Sequence, residues 1–142
     1  MKIISHRGNL NGRLQNDENS ILAINIALSH GFDVEVDVWF KNKKWFLGHN
    51  KTEHEISRSF LENKKLWCHA KNLDALRLMI KNKKINCFWH QNDNFTLTSK
   101  GYIWTYPNKD VTDKSIIVLK NFKDKAPKNC FGICTDFPIY YK

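Results

Sequence analysis

The chain has 142 residues, of which 42% are hydrophobic and 13% aromatic, and it carries a formal charge of +9. That length suits one domain with a real core, and the composition is that of a globular chain rather than a disordered one. No run approaches the roughly 18 apolar residues of a membrane helix, and the start lacks the apolar stretch of a signal peptide, so the cytoplasm is the expected compartment.

Short β-rich runs recur along the chain. The first is Ile3-Ile4, followed at once by His6-Arg7-Gly8. Asn19-Ser20 then reads as a helix cap before Ile21, Ile24, Ala27 and Leu28, which fall at helical spacing and end near Gly31. Residues 34–39 form the second strand, and residues 44–47 extend it or pair with it across a polar turn. Ile56, Phe60 and Leu61 make a weak helical stripe. A third strand covers residues 66–68, and Leu73, Leu76, Met79 and Ile80 make a stronger stripe. Strands over residues 87–89, 102–106, 116–119 and 132–135 complete a set of seven. Strands alternating with helices argue for βα units and a parallel sheet. Spacing in the second half is tight for parallel crossovers, so helices there are expected to be short or missing.

Polar residues gather where these strands end: His6, His49, His69 with Lys71, His90, and Asp136. In parallel α/β folds ligands bind outside the carboxyl ends of strands. Alternation places Glu35 and Asp37 on one face of their strand, opposite Val34, Val36 and Val38. Two carboxylates that close require a cation or a raised pKa, and hard oxygen ligands suit Mg²⁺ or Ca²⁺. His6 and His49 offer a proton acceptor and a proton donor, and Arg7 offers a fork for phosphate oxygens. Aromatic and polar residues around His90 and Trp104 are suited to lining a pocket for a glycerol, sugar or choline group; ordinary core packing is the competing reading.

Four cysteines (Cys68, Cys87, Cys130, Cys134) show no CxxC or zinc-finger spacing and are expected to be reduced, packed thiols. The charge excess is almost all Lys, in repeated KNKK-like turns. A solvated basic surface accounts for it, as does attraction of a phosphate-bearing substrate. No motif for specific nucleic-acid binding is present. Nothing predicts a transmembrane segment, and peripheral membrane contact stays compatible with the charge.

Several of these segments resemble a known family. His6-Arg7-Gly8-Asn9, Glu18-Asn19-Ser20, Ala27-Leu28, the run from Gly31 to Val38, and Gly48-His49-Asn50 are similar in order, spacing and type to the glycerophosphodiester phosphodiesterase signature. The run from Gly132 to Pro138 resembles the family's final strand and turn. The resemblance implies a TIM-like (β/α) barrel over residues 1–142, with His6 and His49 as acid and base and Glu35 and Asp37 as metal ligands. It implies Glu18 near the metal, Arg7 and Lys71 near the phosphate, and a small phosphodiester substrate cleaved by attack of a hydroxyl on phosphorus. His69 stands where the family carries an acidic ligand, which makes it the expected third ligand. Asn50 replaces an Asp, Asp17 replaces a Pro, and the insertion usual after the second strand is absent. TIM barrels normally exceed about 200 residues. The expectation is therefore a reduced barrel of about seven parallel strands: stripped, incomplete, or completed as a homodimer. A non-catalytic barrel that binds a phosphorylated ligand is the main alternative, and a basic nucleic-acid-binding protein a lesser one.

Overall fold

A computed structural model describes all 142 residues. Ten strands join one curled sheet: β1 (Lys2–His6), β2 (Asp33–Lys41), β3 (Lys44–Leu47), β4 (His54–Ile56), β5 (Leu66–Ala70), β6 (Cys87–Phe88), β7 (Phe95–Leu97), β8 (Ile103–Thr105), β9 (Ser115–Leu119) and β10 (Gly132–Thr135). The parallel pairings run β6-β5-β2-β1-β10-β9-β8, so the seven strands follow one another in chain order with the last beside the first. This is an α/β fold of the reduced TIM-like kind.

The ladder is open between β6 and β8. There the short strand β7 pairs antiparallel with β8 and reaches toward β6 through single hydrogen bonds. Ser99 N–H donates to the Cys87 carbonyl at 2.8 Å, Cys87 N–H donates to Ser99 Oγ at 2.9 Å, and Thr96 Oγ1 donates to the Trp89 carbonyl at 2.7 Å. Periodicity does not reveal β7, because its three residues are largely exposed and bury no apolar face.

Only two α-helices form, α1 (Ile21–Ser29) and α2 (Leu73–Lys81), and both lie in the first two-thirds of the chain. Each starts on a side-chain cap: Ser20 Oγ accepts from Ala23 N–H and Asn72 Oδ1 from Ala75 N–H, both at 3.1 Å. Their buried faces (Ile24 and Ala27; Ala75 and Met79) pack with Val34, Val36, Val38, Cys68 and Ala70 on the outside of the sheet. After Lys81 the connections are loops, with Val111, Ala126 and Tyr141 covering Ile117, Leu119 and Ile133. The weak stripe at Ile56, Phe60 and Leu61 is not a helix. Ile56 pairs with Trp45 in β4, while Phe60 and Leu61 sit in a 3₁₀ turn at Arg58–Glu62, too short to form an α-helical face. Residues 44–47 do pair with β2, across a two-residue turn in which Asn42 and Lys43 both have positive φ.

Inside the curl, six strands each contribute one buried residue: Ile4, Trp67, Phe88, Trp104, Ile116 and Cys134. The exception is β2, whose inward residues are Asp33, Glu35 and Asp37, all buried. Asp33 is satisfied at the lower end by Trp67 Nε1–H at 3.0 Å and Lys2 at 3.3 Å. Glu35 and Asp37 lie toward the strand's carboxyl end. All four cysteines are buried and unpaired, and no helix is long and apolar enough to cross a membrane.

Candidate functional site

The site begins where β1 ends. Arg7 adopts φ +55 and Gly8 φ +85, a sharp turn closed by Arg7 N–H to the Glu35 carbonyl and Asn9 N–H to the His6 carbonyl. A Cβ on Gly8 would come within 2.9 Å of the Ala23 backbone, so this turn can lie against α1 only with glycine there. The turn places His6 over the end of the sheet. His6 Nδ1–H donates to Asp136 Oδ1 at 2.7 Å, and its Nε2 lies 3.8 Å from Glu35 Oε2. Burial pulls the His6 pKa down, but the Asp136 bond and the Glu35 charge outweigh it, and the net displacement is upward. Asp136 moves the other way. Burial would raise its carboxyl, yet the bond from His6 holds it below the ordinary value.

Asp37 is fully buried and surrounded by donors. Its Oδ2 accepts from Asn19 Nδ2 at 3.0 Å and His49 Nδ1 at 3.2 Å, and lies 2.9 Å from Arg7 Nε. Asn19 also accepts from Asp37 N–H at 2.9 Å, so one buried amide grips both the backbone and the carboxylate. Burial opposes the charge on Asp37, but the His49 and His69 contacts and the Arg7 charge carry its pKa well below the carboxylate range. The loop after β3 brings His49 back to this strand. Gly48 N–H donates to the Asp37 carbonyl at 3.1 Å, and Trp39 Nε1–H holds the Gly48 carbonyl at 2.7 Å. Gly48 sits at φ +150, where a Cβ would lie 2.1 Å from the Lys51 carbonyl oxygen. With Nδ1–H on Asp37, the other nitrogen of His49 faces Arg7 Nη2 at 3.4 Å.

His69, at the end of β5, completes a cluster. Its Nε2–H donates to the His90 carbonyl at 2.8 Å, and its Nδ1 lies 3.2 Å from Asp37 Oδ1 and 3.5 Å from Glu35 Oε1. Burial disfavours the charged ring, but the carboxylates of Asp37 and Glu35 beside Nδ1 outweigh it and raise its pKa to about 9. One ligand atom each from Glu35, Asp37 and His69 falls within 4.8 Å of the others. Glu35 Oε2 and Asp37 Oδ1 are buried without a hydrogen-bond partner. Orphaned acceptors are rare in interiors; Glu35 Oε2 lies toward His6 and Asp37 Oδ1 toward His69, and the set of two carboxylates and one imidazole fits a divalent cation. Lys71 Nζ stands 3.6 Å from Asp37 Oδ1.

Most of the residues singled out from sequence line one cavity of about 570 Å³: His6, Arg7, Glu35, His49, His69, Lys71, His90 and Trp104. Glu18 stands differently from expectation: it is not in the converging cluster, and its carboxylate is taken by Asn9 at 2.8 Å, Arg7 at 3.2 Å and Arg13 at 3.3 Å, so it holds Arg7 in place. Trp104 lines the cavity from a buried position, stacked on Phe88 with centroids 4.4 Å apart. Asp136 and Asn19 play larger parts than their sequence signals suggest. Asp136 is legible only as a polar residue after the last strand, and Asn19 only as a helix cap. A larger depression of about 990 Å³ opens at the opposite end, around Lys2, Phe32 and Cys130, away from these groups.

The fold and the buried Glu/Asp/His cluster are compatible with a phosphoesterase-type α/β barrel. No protein-family model, curated protein or solved structure matches this chain.

Proposed function

We propose that the chain is a metal-dependent phosphodiester hydrolase, one barrel domain over residues 1–142, acting on a glycerophosphodiester or a similar small lipid-headgroup phosphodiester. The observation that carries this reading is the convergence of one ligand atom each from buried Glu35, Asp37 and His69 within 4.8 Å of one another. A divalent cation held by these three, Mg²⁺ or Ca²⁺ by the preference of the carboxylates alone, would offset charge developing on the phosphoryl oxygens.

The proton work falls to the protein's own imidazoles. With Nδ1–H donated to Asp136, neutral His6 keeps its Nε2 lone pair free to take the proton of an attacking hydroxyl. His49, anchored through Nδ1 to Asp37, serves the departing alkoxide as the acid from Nε2, which faces Arg7 Nη2 at 3.4 Å until the phosphate takes over the guanidinium. One P–O bond forms as another breaks, and the proton gained by His6 balances the one lost by His49. Attack by a neighbouring hydroxyl of the substrate gives a cyclic phosphate, and attack by water gives the monoester. Lys71 and Arg7 add positive charge beside the phosphate.

A second reading, a barrel that binds a phosphorylated ligand without cleaving it, is favoured by one observation. Arg7 and Lys71 already oppose the Asp37 charge at 2.9 and 3.6 Å. Turnover of bis-p-nitrophenyl phosphate and a glycerophosphodiester panel with Mg²⁺, Ca²⁺ and Mn²⁺ separates the two. Hydrolysis lost in both His6→Ala and Glu35→Ala is expected. Hydrolysis absent with every metal, or surviving both substitutions, would leave only the binding reading.

A further inference from the structure

The cavity has two unlike walls. One carries His6, Glu35, His49 and His69, as described. The other is built by the ends of β6, β8 and β9, and its polar groups are His90, Gln91, Tyr106 and Lys120. None of these four is a carboxylate; the Asp93 carboxylate accepts from Gln91 N–H at 3.4 Å, and Asp136, which also lines the cavity, accepts from His6 and Asn9, both at 2.7 Å. Lys120 enters no ion pair anywhere in the molecule; its ammonium donates to Tyr106 Oη at 3.0 Å and sits 4.6 Å from the Tyr106 ring centroid. One of its three protons is thus engaged, and the group lines the cavity with no other hydrogen bond. The same contact lowers the Tyr106 phenol pKa. Tyr106 in turn stacks on His90, with centroids 5.9 Å apart, and the His90 ring is fixed by Nε2–H donating to the Asp93 carbonyl at 2.8 Å.

This arrangement is poor for a cationic headgroup. A quaternary ammonium needs open aromatic faces or a nearby carboxylate. Here Tyr106 already serves the Lys120 ammonium, and Trp104 is buried against Phe88 and Trp67. We infer that this wall selects a phosphodiester whose second alcohol bears a negative charge, a carboxylate or a further phosphate, with Lys120 as the selecting residue held in place by Tyr106. The inference rests on the phosphodiesterase reading above.

Four diesters of glycerol 3-phosphate test it, with choline, glycerol, glycolate and glycerol monophosphate as the second alcohol. For each, kcat/KM and calorimetric affinity are measured on wild type, Lys120→Glu and Tyr106→Phe. Both residues are exposed, so the variants should fold, which circular dichroism checks. The glycolate and phosphate diesters should exceed the glycerol diester by about fivefold, the scale of one partly exposed ion pair, and the choline diester by more. Lys120→Glu should reverse that order, and Tyr106→Phe should shrink it. The glycolate and phosphate arms show which anion is preferred. Equal values across the four diesters, or an order unchanged in Lys120→Glu, would overturn the inference while turnover upholds the enzyme. Absence of turnover with every diester would instead sink the phosphodiesterase reading, and the affinities alone would then decide on Lys120.

Discussion

The Nε2–H of His69 is committed to the backbone carbonyl of His90 at 2.8 Å, and this leaves Nδ1 as the atom that meets Glu35 and Asp37. A backbone carbonyl only accepts, so the proton on Nε2 is not free to move and the ring presents Nδ1 in a set orientation. A nitrogen donor thereby joins two carboxylates at the cluster. Imidazole suits first-row transition metals better than Ca²⁺, which collects six to eight oxygens. Mn²⁺ should therefore bind more tightly than Ca²⁺, read by electron paramagnetic resonance of free Mn²⁺ and by the rise in Tm with each metal. His69→Glu should narrow the difference by about tenfold, the scale of a ligand-shell change. Ca²⁺ binding as well as Mn²⁺ in wild type would show that His69 is not a ligand.

The His6–Asp136 pair predicts a pH window. His6 is raised above its ordinary 6.5, so its contribution to stability is complete below 6.5 and fades as pH rises through the raised value. Asp136 is lowered below its ordinary 3.8, so its contribution is present above 3.8 and fades as pH falls through the lowered value. The pair is at full strength between these ordinary values. Asp136→Asn should lower the urea midpoint within that window and weaken its dependence on pH on either side of it. It should also shift the acidic limb of the pH–rate profile to lower pH, because His6 loses the partner that favours its charge, and reduce kcat by about 10². An unmoved acidic limb would remove His6 from the base role.

Asn19 offers a stability test with an internal control. It is buried, sits at φ +61, and makes two hydrogen bonds to Asp37. Asn19→Ala should cost about 2–4 kcal/mol, from two buried groups left unpaired. Asn19→Gly should cost about 1 kcal/mol less, because only the alanine is strained by a left-handed backbone. Urea denaturation of both variants measures this, and equal losses would mean that the backbone conformation relaxes.

The open seam is the weakest part of the sheet by construction. Ser99 Oγ accepts from Cys87 N–H at 2.9 Å and donates to the Ile85 carbonyl at 3.2 Å, bridging a gap where no ladder exists. Ser99→Ala should cost about 1–2 kcal/mol and speed hydrogen exchange at the Cys87 amide, with amides of β1 and β10 unaffected. Uniform acceleration through the whole sheet would show that the seam opens only with global unfolding.

Local physics made much of this molecule legible from its sequence. The alternation of Val34, Val36 and Val38 with Glu35 and Asp37 assigns one face of β2 to the outer core and the other to carboxylates, because side chains alternate along any strand. The caps at Ser20 and Asn72 and the spacing of the helix residues mark α1 and α2 for the same kind of reason. The seven strands stand out as β-rich runs between turns and helical stripes, while their arrangement as a barrel is what the family resemblance implied. What remained hidden depends on groups far apart in the chain. Asp136 reaches His6 only because β10 lies beside β1. Glu18 leaves the cluster because Asn9, Arg7 and Arg13 compete for it. The seam at β7 is held by isolated hydrogen bonds that no periodicity encodes, and Lys120 gains its meaning from lining the cavity without an ion-pair partner. Sequence determined which residue types stand at the strand ends; tertiary structure alone decided which of them face one another, since that depends on how the sheet curls.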